Sequence, residues 1–240
     1  MNEYSWLYFL MILVGMVLSI CLKKLTIPAA LLGGALSIAI YSGGGIGGIT
    51  ILGFFFIIGV GVTAWKSKIK QEIGLAETNH NKRTAAQVFA NAGLAGVIGS
   101  FHYCFPSINI NAPLLIAACF SSATADTVSS ELGNIYGSRF YDILNWEKTV
   151  RGDNGVVSVE GTLFGIAGSI FISLLYGLFY KWDSGIAIII LAGVIGNMAD
   201  SVLGATLERK VLINNNSVNF LNTCIASLFA YMLCFFLPNN

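Results

Sequence analysis

The sequence predicts an all-α polytopic transmembrane bundle of about eight spans, with both termini outside the cytoplasm. Three observations predict it. Of 240 residues, 55% are hydrophobic and only 10% are charged, and the mean hydropathy is +0.75. A soluble domain carries about 25% charged residues, so this chain cannot clothe itself for water. Apolar stretches of the roughly 17–25 residues needed to cross a bilayer recur along its length. The basic residues, finally, sort into alternate loops. A net charge of +1 with no basic run excludes a nucleic-acid partner, and the apolar content excludes disorder.

The spans read, in order, as residues 5–22, 25–41, 49–65, 85–105, 113–132, 161–180, 185–206 and 218–237. The second is the least secure, because the glycine-rich run Gly43–Gly48 can break a hairpin. With the N-terminus outside, twelve of the thirteen Lys and Arg fall in cytoplasmic loops, and Lys181 alone falls outside. Lys66, Lys68 and Lys70 read as a topology anchor. Tyr8, Trp65, Trp146 and Trp182 sit near span ends, where aromatic side chains anchor at the interface. Five cysteines with no CxxC or Cys/His spacing read as small packing residues. Gly93–Gly96 and Gly161–Gly168 read as close-packing faces that could flank a lipid chain. The whole chain reads as one membrane domain, 1–240, with three variable spans in 1–81 and a motif-bearing catalytic bundle in 82–240.

An Asp at the centre of a membrane helix costs about 2.5–3.5 kcal/mol on insertion scales, so polar residues inside spans ask for a reason. Five clusters qualify, all at cytoplasmic helix ends in this topology. Arg83, Gln87 and Asn91 share one helical face. Asp126 shares a face with Ser129 and Ser130, and Glu131 follows. Arg151-Gly-Asp-Asn154-Gly-Val-Val-Ser158 is a turn entering a helix. Asn197, Asp200, Ser201 and Gly204 share a face, in a cluster that runs to Glu208. Asn215, Asn219 and Asn222 do so after a capping run, Asn214–Asn216. Asp126 and Asp200 have no Lys or Arg within one turn and stand at helix C-termini, against the macrodipole. A bound cation balances two such carboxylates better than an amide does. Acids, amides and the nearby Lys148, Arg151 and Arg209 together suit a magnesium–phosphate site. A lipid monophosphate acceptor would need no general base, since it is already largely dianionic at neutral pH. His80 and His102 lie away from the clusters, and there is no P-loop, HExxH or GxSxG.

Ala125-Asp-Thr-Val-Ser-Ser-Glu-Leu-Gly133, Gly152-Asp-Asn-Gly-Val-Val-Ser158, Asp200-Ser-Val-Leu-Gly-Ala-Thr206 and Asn215-Asn-Ser-Val-Asn219, with Lys82-Arg-Thr…Gln87…Asn91, resemble the signatures of one integral-membrane family. That family contains plant phytyl-phosphate kinase, transmembrane protein 19 and many microbial members under a domain of unknown function. The resemblance covers roughly Lys82 to Asn222. Val128 stands where the family usually has Trp, and Val156 where it usually has Gly.

The resemblance implies an Mg2+-dependent phosphotransferase. It would pass a phosphoryl group from a nucleoside triphosphate, CTP or ATP, to a polyprenyl monophosphate, from a site facing the cytoplasm of a bacterial-type inner membrane. The expected catalytic residues are Asp126, Glu131, Asp200 and Asn154, with Asp126, Glu131 and Asp200 on the metal. The expected substrate contacts are Arg83, Gln87, Asn91, Ser129, Ser130, Lys148, Arg151, Ser158, Ser201, Arg209, Asn215, Asn216 and Asn219. Two other classes fit the same residues: a transporter or flippase of prenyl phosphates, and a cytidylyltransferase-like enzyme acting on a lipid phosphate.

Overall fold

A computed structural model describes residues 5–74 and 82–236. His80 and the expected end of the last span at Leu237 lie outside the described residues. The chain folds as α1 (Ser5–Cys21), α2 (Ile27–Ala64), α3 (Ser67–Glu72), α4 (Ala85–Cys104) and α5 (Ala112–Tyr136). A short hairpin of β1 (Phe140–Asp142) and β2 (Val156–Ser158) follows, then α6 (Val159–Phe179), α7 (Gly185–Leu203), a π-helical turn (Gly204–Glu208) and α8 (Asn215–Phe236). It is an all-α polytopic membrane bundle. Among the described residues five helical segments are long and apolar enough to cross a bilayer: α2, α5, α6, α7 with its π turn, and α8.

α2 settles the question of the second span. It is broken at Gly45, whose φ of 55° and ψ of −151° favour a residue without Cβ. The chain reverses there: a Cβ at Gly48 would lie 3.1 Å from Cγ2 of Ile40, and Gly59 returns to the guanidinium of Arg83. At the start of the helix, Thr26 N–H donates to the Arg83 carbonyl at 3.1 Å. The two arms, 27–44 and 46–64, are each about 27 Å long at 1.5 Å per residue, close to a hydrocarbon core of about 30 Å. With α1 and α4, eight segments therefore run between the two ends of the bundle.

Small residues set the helix spacing. A Cβ at Gly43 would meet the Gly99 backbone at 2.6 Å, and one at Gly133 the Gly161 Cα at 2.9 Å. α5 is the central helix and packs on α2, α4, α6, α7 and α8. The core around Phe120, Ile116 and Ala117 sits on it. The small-residue faces expected to flank a lipid are closed instead. Gly96 faces Leu36 and Ala39, Gly165 faces Asn197 and Ala125, and Gly168 faces Thr124.

One end of the bundle collects the α1–α2, α2–α4, α5–α6 and α7–α8 connections, and with them twelve of the thirteen basic residues. Cross-contacts fix this end: Leu25 bridges to Arg83, Trp65 Nε1 donates to Tyr136 Oη at 2.9 Å, and Arg151 donates to the Asn134 carbonyl at 3.3 Å. Lys181 lies at the other end, beside Tyr180, whose hydroxyl donates to the Gly44 carbonyl. A charge asymmetry of this size orients membrane proteins with the basic end inward. A reporter enzyme fused after Asn240 is therefore expected to be active only on the non-cytoplasmic side. Activity on the cytoplasmic side would reverse the topology.

Candidate active site

At the basic end, α5, the hairpin, α6, α7 and the start of α8 enclose a cavity of about 300 Å³. Asp126 of α5 and Asp200 of α7, helices that pack directly on each other, both line it. Their carboxyls are in hydrogen-bond contact. Asn222 of α8 fixes the pair from behind: its Nδ2 donates to Asp200 Oδ1 at 2.7 Å, and its own Oδ1 accepts from Ser122 Oγ at 3.1 Å. Asn222 and Ser122 are fully buried, so this relay is shielded from water. Ser129 Oγ donates to Asn197 Oδ1 at 3.3 Å on the adjoining wall.

The π-helical turn does the next piece of positioning. One extra residue per turn at Gly204–Glu208 swings the chain end of α7, and Glu208 enters the lining with its carboxyl on the Asn154 side chain. The loop bearing Asn154 lies against that turn. Gly155 has φ +78°, and a Cβ there would sit 2.7 Å from both N and Cα of Ala205. Arg209 clamps the loop, donating to Asp142 Oδ2 at 2.6 Å and to the Asn154 carbonyl. The Leu144 amide, and then Arg209, hold the Asp142 carboxyl below the usual carboxylate range.

Among the described residues four acids line the cavity, Asp126, Asp153, Asp200 and Glu208, and no Lys or Arg does. Two carboxylates in contact need a proton or a cation between them. Magnesium commonly takes one or two protein carboxylates and completes its shell with water and phosphate oxygens, so Asp126 and Asp200 fit it. The expected three-acid set does not assemble. Among the described residues no group of three His, Cys, Asp or Glu converges on one point. Glu131 points away, with its Oε2 2.5 Å from Lys70 Nζ.

Residues 10–227 match the family described as Integral membrane protein DUF92. The chain belongs to the DUF92 family. The DUF92 chain is 30% identical over 223 residues to Protein VTE6, chloroplastic, of Arabidopsis thaliana, covering 89% of this chain and 66% of that protein, just under two thirds of it. It is 33% identical to an uncharacterized membrane protein of Synechocystis, covering 77% and 72% of the two chains. It is 32% identical to an uncharacterized membrane protein of Methanocaldococcus jannaschii, covering 75% and 73%. No solved structure matches.

The other expected site residues of this DUF92 protein divide into three groups. Ser129, Ser130, Asn154, Ser158, Ser201 and Asn215 line the acidic cavity with Asp126 and Asp200. Ser158 is also the N-cap of α6, accepting from Gly161 N at 3.1 Å. Asn216 and Asn219 lie in the first turns of α8 but outside that lining, and Asn214 caps the helix through Ser217 N at 3.0 Å. Lys148, Arg151 and Arg209 lie outside it too; Arg151 is spent on the Asn134 carbonyl near the end of α5, and Arg209 on Asp142 and the Asn154 carbonyl.

Arg83, Gln87 and Asn91 line a different cavity, between α1, α2 and α4. Gln87 closes a capping box with Thr84, and Asn91 Nδ2 donates to the Gln87 carbonyl at 2.9 Å. Three residues were passed over as site residues in the sequence. Asn197 shares a face with Asp200 and Asn222 a face with Asn215 and Asn219, which was a usable signal. Glu208 depends on a π turn that no simple periodicity reveals.

Two expected outcomes arise here. Gly155→Ala pays about 1–2 kcal/mol for φ alone, besides the collision with Ala205, and should lower turnover at least about tenfold with normal membrane insertion. An unchanged rate would show that the loop does not need its close seat on the π turn. The depressed Asp142 ionisation stabilises the loop clamp at pH above its ordinary value of about 3.9 and is lost as pH falls below it. Asp142→Asn removes it at neutral pH and should speed tryptic cleavage at Lys148 and Arg151; equal cleavage rates would contradict the clamp.

Proposed function

We propose that this DUF92 protein is a membrane-embedded prenyl-phosphate kinase. It transfers a phosphoryl group from a nucleoside triphosphate, CTP or ATP, to a polyprenyl monophosphate at the cytoplasmic end of the bundle. The observation that carries the reading is the facing pair Asp126 and Asp200 in a cavity lined by acids, amides and hydroxyls without a single Lys or Arg. A polyphosphate cannot enter such a cavity on its own charge. Asp126 and Asp200 would hold a Mg2+ ion, which would supply charge neutralisation to the phosphate oxygens and to the transition state. The ordered motifs shared with the family of plant phytyl-phosphate kinase support the substrate class.

The protein's own residues position the reaction. Asn222 and Ser122 fix the Asp200 carboxyl, so that it need not reorganise when substrate binds. Asn154 and Asn215 offer side-chain amide donors to phosphate and ribose oxygens, while the Ser129, Ser130 and Ser201 hydroxyls, which donate to Asn197 Oδ1 and to the Thr127 and Asn197 carbonyls, present acceptor lone pairs to the cavity. Ile166 of α6 with Val194 and Met198 of α7 form the apolar side of the cavity, and Met198 is 49% exposed. The prenyl chain leaves through this side into the bilayer, which keeps its phosphate among the donors. An oxygen of the lipid monophosphate attacks the terminal phosphorus. A new P–O–P bond forms, the bond to the nucleoside diphosphate breaks, and its electrons stay on the departing diphosphate. No proton has to be removed from the acceptor, in keeping with a lining that holds no histidine among the described residues.

The experiment is product analysis with purified protein, radiolabelled farnesyl, geranylgeranyl and phytyl phosphates, and each nucleotide in turn. The expected products are prenyl diphosphate and nucleoside diphosphate. A nucleotidyl lipid with pyrophosphate would make the protein a nucleotidyltransferase, and unchanged substrate carried across a vesicle membrane would make it a transporter.

A further inference from the structure

Two loops at the basic end of the bundle are locked into one unit. The hairpin loop, residues 143–155, folds back on the helices: Arg151 donates to the Asn134 carbonyl near the end of α5, and Gly155 seats on Ala205 of the π turn. Arg209, which opens the α7–α8 loop, donates to Asp142 and to the Asn154 carbonyl. Both loops are thereby held down at the helix ends, where the bundle leaves the bilayer. Their surface carries Leu144, Trp146, Val150, Val211 and Leu212, all of them exposed.

Two of these side chains stand where a turn calls for glycine. Past the π turn, Val211 N–H donates to the Glu208 carbonyl at 2.7 Å and Leu212 N–H to the Leu207 carbonyl at 3.0 Å, the paired bonds of a Schellman cap. The left-handed residue of such a cap is usually glycine, and here it is the β-branched Val211, with φ 58°. In the hairpin, Trp146 N–H donates to the Asp142 carbonyl at 2.9 Å, and the chain turns there at φ 59°. Left-handed backbone pushes Cβ against a carbonyl oxygen, so both positions hold strain. The rest of the chain gives little contact in return, since Trp146 is 65% exposed and Val211 88%. Charge identifies what else meets them. Lys148 stands between Trp146 and Val150, and Lys210 precedes Val211; both are exposed, and neither forms an ion pair among the described residues. Asp142 is taken up by Arg209 and Asp153 lines the acidic cavity, so Glu147 is left to face Lys148, Arg151 and Lys210. A tryptophan and aliphatic side chains among lysines, with positive charge in excess, have the composition of a segment seated in a headgroup layer.

We propose that the two loops form one lipid-docking patch: their apolar side chains enter the headgroup region of the cytoplasmic leaflet, and Lys148 and Lys210 meet the phosphates of anionic phospholipid. A lipid surface is favoured over a partner protein because the loops are tied to helix ends that already stand at the bilayer surface. Docking would steady the hairpin loop that carries Asn154 to the acidic cavity. The assignment does not rest on the phosphoryl-transfer reading.

The test uses the full chain in lipid nanodiscs and reads Trp146 fluorescence as the difference between the unaltered protein and Trp146→Phe. That emission should be blue-shifted from tryptophan in water, quenched by phospholipid brominated near the headgroup end of its acyl chains, and shielded from acrylamide. Mixing phosphatidylglycerol into phosphatidylcholine should strengthen the quenching by brominated lipid at least about twofold. Lys148→Gln combined with Lys210→Gln should bring the two lipid mixtures level. A water-like emission open to acrylamide would overturn the proposal. So would a blue-shifted emission that brominated lipid leaves untouched, which would place the patch against a protein surface. Equal quenching of the unaltered protein in the two mixtures would overturn the anionic surface. The comparison of the unaltered protein with the conservative Trp146→Phe variant decides the matter even if the double lysine variant does not fold.

Discussion

Asp126→Asn and Asp200→Asn are each expected to lower turnover by more than about 10³-fold while the protein still inserts and purifies normally. The hydrogen bonds around the pair survive either change. An asparagine at 200 still offers an oxygen to Asn222 Nδ2, and one at 126 can donate its amide to the Asp200 carboxylate. Shape and packing are kept, and only the negative charge is lost. A purely structural pair would therefore tolerate both substitutions, with little change in stability. A charge pair that gathers a divalent cation and phosphate would tolerate neither. Near-wild-type activity of either variant at limiting magnesium would make that acid structural and sink the metal assignment.

Lys70→Met is the largest expected loss of stability. Lys70 is 3% exposed, and its ammonium is fully engaged. It donates to Glu131 Oε2 at 2.5 Å and to the carbonyls of Val62 and Thr63 at 2.7 and 3.1 Å. Those carbonyls belong to the last turn of α2, where a cation meets the negative end of the helix dipole. Removing it leaves Glu131 uncompensated and takes a donor from the Thr63 carbonyl, while the Val62 carbonyl keeps the Trp65 N–H at 3.2 Å, at a cost of about 3 kcal/mol. Converting Glu131 to Met as well should recover much of that cost, because an apolar pair can replace a buried ion pair. Denaturation in detergent of the single and double variants measures the difference. Equal stability of Lys70→Met and the parent protein would show that the pair does not tie α3 to α5.

The eight membrane segments were legible because apolar length and basic loops report directly on bilayer crossing. Even the doubtful hairpin at Gly43–Gly48 left its mark in the glycines, and the structure turns the chain at Gly45. The acidic site was legible for the same reason: Asp126 and Asp200 stand in apolar surroundings, where an unexplained charge is conspicuous.

What could not be read were the pairings that need three dimensions. Glu131 follows Asp126 by five residues, which rotates it off the acid face and toward Lys70, a residue that looks in sequence like another member of a basic anchor. Gln87 and Asn91 share a face with Arg83, yet their side chains serve the start of α4 itself. Lys148, Arg151 and Arg209 are near the site in sequence, but the Asn134 carbonyl of α5 claims Arg151, and Asp142 with the Asn154 carbonyl claims Arg209. Polar residues at helix ends serve caps as readily as substrates, and periodicity alone does not separate the two.

The central claim is that the Asp126–Asp200 cavity takes up a nucleotide together with a divalent cation. Electron paramagnetic resonance of Mn2+ added to the purified protein, with and without a non-hydrolysable nucleoside triphosphate analogue, tests it most directly. The account predicts a bound-manganese signal that strengthens with nucleotide and disappears in Asp126→Asn and Asp200→Asn. Nucleotide binding that is undiminished in excess chelator, or a manganese signal that survives both substitutions, would contradict it.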